Sequence, residues 1–459
     1  NYPNTILNSL QYDTEVNRVD GSENSRENLL NDIFTRLSNE TDETNYHGYT
    51  AGVMMVLCNL MYNSKKVRQD LPKMSSLRAL VARMTLRAPE TSHELKLFDC
   101  KFVFLITMFN NVARKALKEL KGDTALVELL AEISKRCNGR DKTCEPNDMT
   151  LCCEILKTLF NFYHFPEESE SDPCEKSRHL VSILYKLLVH KCTVDIDETI
   201  KNIGNLLIAL PIEACKAIIP PASKTSKVVF QGVDMSAIAV LLDYLDRCLN
   251  GNENLYPIIC TFIRLIKVDK SIRKYLRLQI LPPLKDVMTR PEEGTTLRAK
   301  LCRLLTNPIA GLENLVAEFL FLLCKLNTSR MIKYTGYGNA AGMFANKGLL
   351  GPETPEDLQI SSESEESDTE EYEKMKDKIN PVTGCYEHPK PSPLEGMSEE
   401  QKEYEAMQLV GLVDQLSRVG LVQPCRIGED GRPKPIEHVL ELQEELSKRH
   451  SNRRESDSD

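Results

Sequence analysis

The chain has 459 residues, with 58 Lys+Arg against 67 Asp+Glu for a formal net charge of −9, and a hydrophobic content of 41%. Residues 353–373 hold ten acidic side chains and no Lys or Arg, so −9 − (−10) leaves +1 for everything else, a near-neutral body with one acidic insertion. That balance argues against the clustered basic stripe of a nucleic-acid binder, and no apolar run approaches the roughly 20 residues that span a bilayer.

The first residues, NYPNTILNSL, lack the charged-then-apolar order of a signal peptide. The expected compartment is the cytoplasm, and because the sequence starts at Asn, further N-terminal residues are expected. The fifteen Cys are scattered along the chain, with no CxxC pair. They read as buried thiols of a reducing compartment and not as zinc ligands.

From about residue 27 to 330 the apolar spacing is helical. Val53, Val56, Leu57 and Leu60 fall at i, i+3, i+4 and i+7, as do Cys152, Ile155, Leu156 and Leu159. Ile238, Leu241, Leu242 and Leu245 repeat the pattern, and so do Val316, Phe319, Leu320 and Leu323. Each set forms one apolar stripe. Breaks fall at Pro72, Pro89, Pro146, Pro211, Pro220-Pro221 and Pro282-Pro283, where a missing backbone donor stops the preceding helix.

A unit of one apolar helix, a polar break and a basic second helix recurs at intervals of roughly 45 to 60 residues, somewhat longer than ordinary armadillo or HEAT units. Such helices bury their stripes only by stacking on their neighbours. Residues 1–335 are therefore expected to form an all-α armadillo/HEAT-like solenoid.

Residues 336–397 contain 7 Gly and 6 Pro and include the acidic run. They show no helical stripe and read as a flexible acidic arm or linker. Residues 398–459 read as C-terminal helices with a charged tail. Ser398 and Gln401 form a capping box ahead of a ridge of Met407, Val410, Val413 and Leu416, and a second amphipathic stretch covers 436–449.

Asn59, Asn161 and Asn205 occupy one register of the apolar helices, and Asn110 is nearly equivalent. Asn is a poor interior helix residue. A ladder on a concave face could bond the backbone of a bound chain; alternatively, each Asn marks a helix end. Arg68, Arg114, Lys115, Arg264, Arg273 and Lys274 recur near that register. They are either a solvated face or the seat of an acidic or carboxylate-ended segment.

Ser362 and Ser367 each carry Glu at +3, the pattern an acid-directed kinase reads, although an inert spacer would look the same. Gly336, Gly338 and Gly342 lack the strand context of a dinucleotide loop. No catalytic or metal-binding set stands out, so the reading is a binding protein without cofactor or metal, not an enzyme.

The strings AEFLFLLCKLNTSRMIKYTGYGNAAGMFANKGLL (317–350), SESEESDTEEY (362–372), INPVTG (379–384) and PLEGMSEEQKEYEAMQLVGLVDQLSRVGLVQP (393–424) resemble the synembryn family, also called resistance to inhibitors of cholinesterase. QILPPLKDVMTRPEEGTTLRAKLCRLLT (279–306) and GVDMSAIAVLLDYL (232–245) extend the resemblance.

The resemblance implies a cytosolic chaperone and non-receptor guanine nucleotide exchange factor for heterotrimeric G-protein α subunits. Its trough would hold the Gα C-terminal helix, and its C-terminal helices would contact the GTPase domain. Ser362 and Ser367 would be substrates of casein kinase II, and membranes would be met only through Gα at the cell cortex or plasma membrane. The alternative is a generic armadillo-type peptide-binding adaptor, but such receptors commonly pair an Asn ladder with Trp, and this chain has 0 Trp.

Overall fold

The computed structural model describes residues 46–63, 76–85, 93–137, 145–164, 174–190, 196–251, 254–307, 311–350, 369–388, 394, 396–428 and 432–436. The chain divides into two compact units, Asn1–Ile272 and Arg273–Asp459.

The described part of the first unit contains α1 (Tyr46–Asn63), α2 (Ser76–Thr85), α3 (His93–Phe109), α4 (Asn111–Glu119), α5 (Gly122–Cys137), α6 (Pro146–His164), α7 (Cys174–Val189) and α8 (Asp197–Ala209). A 3-10 turn (Ala214–Ile218), a hairpin of β1 (Val229–Phe230) and β2 (Val233–Asp234), α9 (Ser236–Asn250) and α10 (Tyr256–Val268) follow. α11 (Lys270–Ile280) crosses the boundary between the units.

The packing forms two rows. In one, α1, α3, α6, α8 and α10 lie side by side in that order; in the other, α2, α5, α7 and α9 do the same. This is the α-solenoid expected from the stripes, with each helix covered by the next.

The stripes themselves carry the packing. Cys152, Ile155, Leu156 and Leu159 are fully buried, as are Ile238, Leu241 and Leu245, with Leu242 nearly so. Burying one such side chain contributes about 1.5–3 kcal/mol. Leu210, followed by Pro211, caps α8, and Pro257 opens α10, where its missing donor is harmless. Ten of the thirteen described cysteines are buried, and burial pushes the Cys58 thiol up to about 12. The exposed member is Cys425.

The described part of the second unit contains α12 (Leu297–Leu304), α13 (Leu312–Leu323), α14 (Thr328–Thr335), α15 (Tyr337–Lys347), α16 (Glu370–Met375) and α17 (Glu399–Arg418). Two hairpins accompany them, β3 (Ile379–Asn380) with β4 (Cys385–Tyr386) and β5 (Cys425–Ile427) with β6 (Pro433–Pro435).

Two elements differ from the linker expected over 336–397. Tyr337–Lys347 is helical and buries Ala340, Met343 and Phe344; its many small residues hide an i, i+3, i+4 stripe. The end of the acidic run is also structured. The Thr369 hydroxyl caps α16 and bonds the Leu284 carbonyl. The β3–β4 turn then accepts from Tyr337 and Gly338 through the carbonyls of Pro381 (2.8 Å) and Val382 (2.9 Å).

Gly336 and Gly384 make that docking possible. Their φ values are +73° and +70°, and a Cβ on Gly384 would stand 2.8 Å from Pro291 Cγ and 3.0 Å from Gly336 Cα. Only glycine meets both the left-handed backbone and the close approach.

The capping box forms as expected: Ser398 Oγ accepts from Gln401 N and Gln401 Oε1 accepts from Ser398 N, both at 3.2 Å. The expected ridge splits. Val410 and Val413 are half-buried, whereas Met407 and Leu416 are exposed.

Candidate peptide-binding face

Hydrogen bonds across the first row fix the register of its helices. Thr158 Oγ1 reaches the Cys100 carbonyl at 3.4 Å, and Asn161 Nδ2 reaches the Phe104 carbonyl at 3.2 Å. Cys153 Sγ meets Thr199 Oγ1 at 3.3 Å, and the Arg264 guanidinium donates to the Leu210 carbonyl. The C-terminal ends of α3, α6, α8 and α10 therefore share one edge of the row.

Asn110 breaks that row at the end of α3. Its side chain accepts from Ala113 N at 3.0 Å and starts α4 in a new direction. Thr107, in the last turn of α3, is the hub of the break. Its hydroxyl donates to the Val103 carbonyl at 2.8 Å and accepts from Asn161 Nδ2 at 3.0 Å. Its carbonyl, one of those a helix end leaves open, accepts from Arg114 Nη1 at 2.9 Å. Arg114 Nη2 closes the set on Asn111 Oδ1 at 2.5 Å.

Asn110, Arg114 and Asn161 thus use their side chains inside the chain, and Arg114 is only 8% exposed. Asn59 is exposed, and Asn205 and Arg264 are half-buried; all three sit on the first row. Arg273 is half-buried and belongs to the second unit. Arg68, Ser362 and Ser367 lie outside the described residues.

At the break, large apolar side chains are exposed: Val112 is 65% exposed and Met108 53%. Tyr62, in the last turn of α1, is 67% exposed. Phe109 is exposed as well, and Phe160 stacks on His164 with centroids 4.9 Å apart. Toward α10 the edge turns basic at Arg264 and Lys267. Arg264 also opposes the burial that pushes the Cys215 thiol up. The arrangement suits an amphipathic helix or strand that presents apolar side chains at one end and an acidic group at the other.

Sequence reading missed Thr107 and the exposed Tyr62, Met108, Phe109 and Val112. The available signal was Met108-Phe109 directly before Asn110-Asn111, two large apolar residues placed where a helix ends and burial is least available. Among the described residues, no His/Cys/Asp/Glu group could hold a metal, and no helix is long and apolar enough to cross a membrane.

Comparison with known proteins gives the chain a family. The model described as guanine nucleotide exchange factor synembryn, Ric8, matches residues 18–432. The chain belongs to the Ric8 family. Chaperone Ric-8A of Xenopus tropicalis is 39% identical over 423 residues, covering 88% of this chain and 78% of that protein. Chaperone Ric-8 of Drosophila melanogaster is 38% identical over 439 residues, covering 86% and 75%.

Among solved structures, a designed armadillo repeat protein aligns with this Ric8-family chain at a TM-score of 0.40 and 15% identity, covering 64% of this chain and 99% of its own.

Proposed function

We propose that this Ric8-family protein is a chaperone and non-receptor exchange factor for heterotrimeric G-protein α subunits, and that the first row captures the Gα C-terminal helix. The observation that carries the reading is the exposed apolar group of Met108, Phe109 and Val112 at an α3–α4 break held by Thr107, Asn161 and Arg114. A folded protein leaves such a group bare where a partner covers it.

Within this reading the Asn and Arg residues have two roles. Asn59 and Asn205 face the partner, Arg264 offers its charge to the partner while one nitrogen holds the Leu210 carbonyl, and Asn110, Arg114 and Asn161 shape the surface it meets. Arg68 and Arg273 stay in the proposal as partner contacts read from the sequence alone. Withdrawing the Gα helix loosens the guanine-binding loop it supports, and GDP leaves. The equilibrium shifts by as much as the trough's preference for the detached helix. GTP restores the helix and expels the solenoid. No covalent step is involved, so the chain acts as a binding protein and not as an enzyme. The same capture would steady an unfinished GTPase domain.

The acidic arm belongs to the same proposal: casein kinase II would phosphorylate Ser362 and Ser367. Cortical or plasma-membrane recruitment would follow Gα. The test is complex formation with nucleotide-free Gα. Binding is expected with intact Gα and lost when its C-terminal residues are deleted; equal binding by both forms would refute the trough.

A further inference from the structure

Two cations and two tyrosines alternate in one chain of contacts within the second unit. Arg277, on α11, stands 5.7 Å from the centroid of the Tyr334 ring and donates from Nη2 to the Tyr334 hydroxyl at 2.8 Å. Lys333 Nζ lies 5.6 Å from the same ring and 4.2 Å from the ring of Tyr372, on α16. The inner end is fixed, because Arg277 and Tyr334 are both buried. The outer end is looser. Tyr372 is half-buried, and no residue of the six-residue α16 is buried. The Thr369 hydroxyl ties α16 to the Leu284 carbonyl and accepts from Tyr372 N at 3.2 Å. So short a helix, with no buried side chain, opens at little cost.

Carboxylates flank the tyrosine. Glu370 and Glu371 precede it, Glu373 follows it, and Asp368, Glu366 and Glu365 lie farther upstream in sequence. The three glutamates on α16 are exposed. An enzyme with a basic groove reads such a string through charge-assisted hydrogen bonds once the helix opens. The same acids do not crowd the hydroxyl in the closed helix. They stand one or two residues from Tyr372 and do not share its face, whereas Lys376, four residues on, does. Lys376 Nζ pairs with Glu373 at 2.8 Å, and both side chains are about half exposed.

We propose that Tyr372 is a phosphorylation site for an ATP-dependent tyrosine kinase that recognises acidic flanks, and that the phosphate fastens α16 to α14. In the transfer, Tyr372 Oη attacks the γ-phosphorus of ATP. The Oη–P bond forms as the bond from that phosphorus to the β–γ bridging oxygen breaks; ADP leaves with the electron pair, and the phenol proton passes to the kinase's catalytic carboxylate. The product carries about −1.5 to −2 charge at pH 7. It lies at the rim of the ring that Lys333 already covers and on the face of Lys376. A cation–ring contact thereby becomes a charge-assisted hydrogen bond. Helix α16 is loose enough to be modified and is held once modified. The assignment rests neither on the Gα reading nor on Ser362 and Ser367.

The full chain, treated with ATP, Mg2+ and the catalytic domain of spleen tyrosine kinase, an enzyme of acidic specificity, tests it. Phosphate is located by tandem mass spectrometry, and amide hydrogen exchange is followed before and after treatment. The wild type is compared with Lys333→Gln and with Glu370→Gln/Glu371→Gln, and equal exchange in α13 shows that each protein is folded. Tyr372 is expected to take phosphate ahead of the other tyrosines, about tenfold more slowly in the double glutamine protein. Phosphorylation should slow exchange across residues 369–378 about tenfold in the wild type and much less in Lys333→Gln. Phosphate on other tyrosines with Tyr372 unmodified, or an equal rate in the double glutamine protein, would overturn the site. Unchanged or faster exchange in the phosphorylated wild type, or equal slowing in Lys333→Gln, would overturn the fastening.

Discussion

Asn161 donates its side-chain amide to the Thr107 hydroxyl across 3.0 Å, and that one bond ties the middle of the solenoid row to the point where α3 breaks. Thr107 also carries Arg114 on its carbonyl at 2.9 Å. An Asn and an Arg that look like ligands in the sequence thereby become the frame of an apolar surface.

Asn161→Ala removes both amide bonds and leaves the Thr107 hydroxyl without its donor. Stability is expected to fall by about 1–3 kcal/mol, measured by urea denaturation. Affinity for Gα should fall as well, since the break that sets Phe109 and Val112 loosens.

Met108→Ala combined with Val112→Ala separates surface from frame. Both side chains are more than half exposed, so stability should change by no more than about 0.5 kcal/mol for each. Gα binding, measured by titration calorimetry, should weaken by an order of magnitude or more, as for the central apolar anchors of an interface.

Gly384→Ala probes the docked hairpin. The added methyl would stand 2.8 Å from Pro291 Cγ at a φ of +70°, and the expected cost is about 1–3 kcal/mol. Limited proteolysis should then cut near residues 379–386 at a lower protease dose, while the first unit keeps its resistance.

Tyr185 and Asp234 give the pH dependence. The Tyr185 hydroxyl donates to Asp234 Oδ2 at 2.7 Å. Burial, then the bond to Asp234, pushes the phenol from 10.0 up to about 12. Burial alone would raise Asp234, but hydrogen bonds from Ser226, Ser236 and Tyr185 outweigh it and hold the carboxyl below 3.8. A raised acid favours the folded state below its unfolded value, so the Tyr185 contribution is full below pH 10 and fades as pH rises toward 12. The lowered Asp234 contributes above pH 3.8 and fades as pH falls below it. Tyr185→Phe should cost about 1–2 kcal/mol at pH 7 and flatten the alkaline limb of a thermal-melt series.

The solenoid was legible because period-3.6 stripes such as Cys152 to Leu159 are local signals that stacking must satisfy. α15 was not, since Gly and Ala dilute the stripe of Ala340, Met343 and Phe344. Nor was the β3–β4 docking, which depends on Gly336 and Gly384 meeting across a long stretch of sequence. The Asn register was visible as a pattern, yet its division into exposed Asn59 and buried Asn161 was not. Whether an Asn bonds a partner or its own fold depends on the neighbouring helix, and here that neighbour is Thr107.

The central claim is tested most directly by the rate of GDP release from purified Gα with and without the full chain. The account predicts faster release with the wild-type chain, and a much smaller effect from the Met108→Ala/Val112→Ala protein. Unchanged GDP release with the wild-type chain, or equal acceleration by the variant, would contradict it.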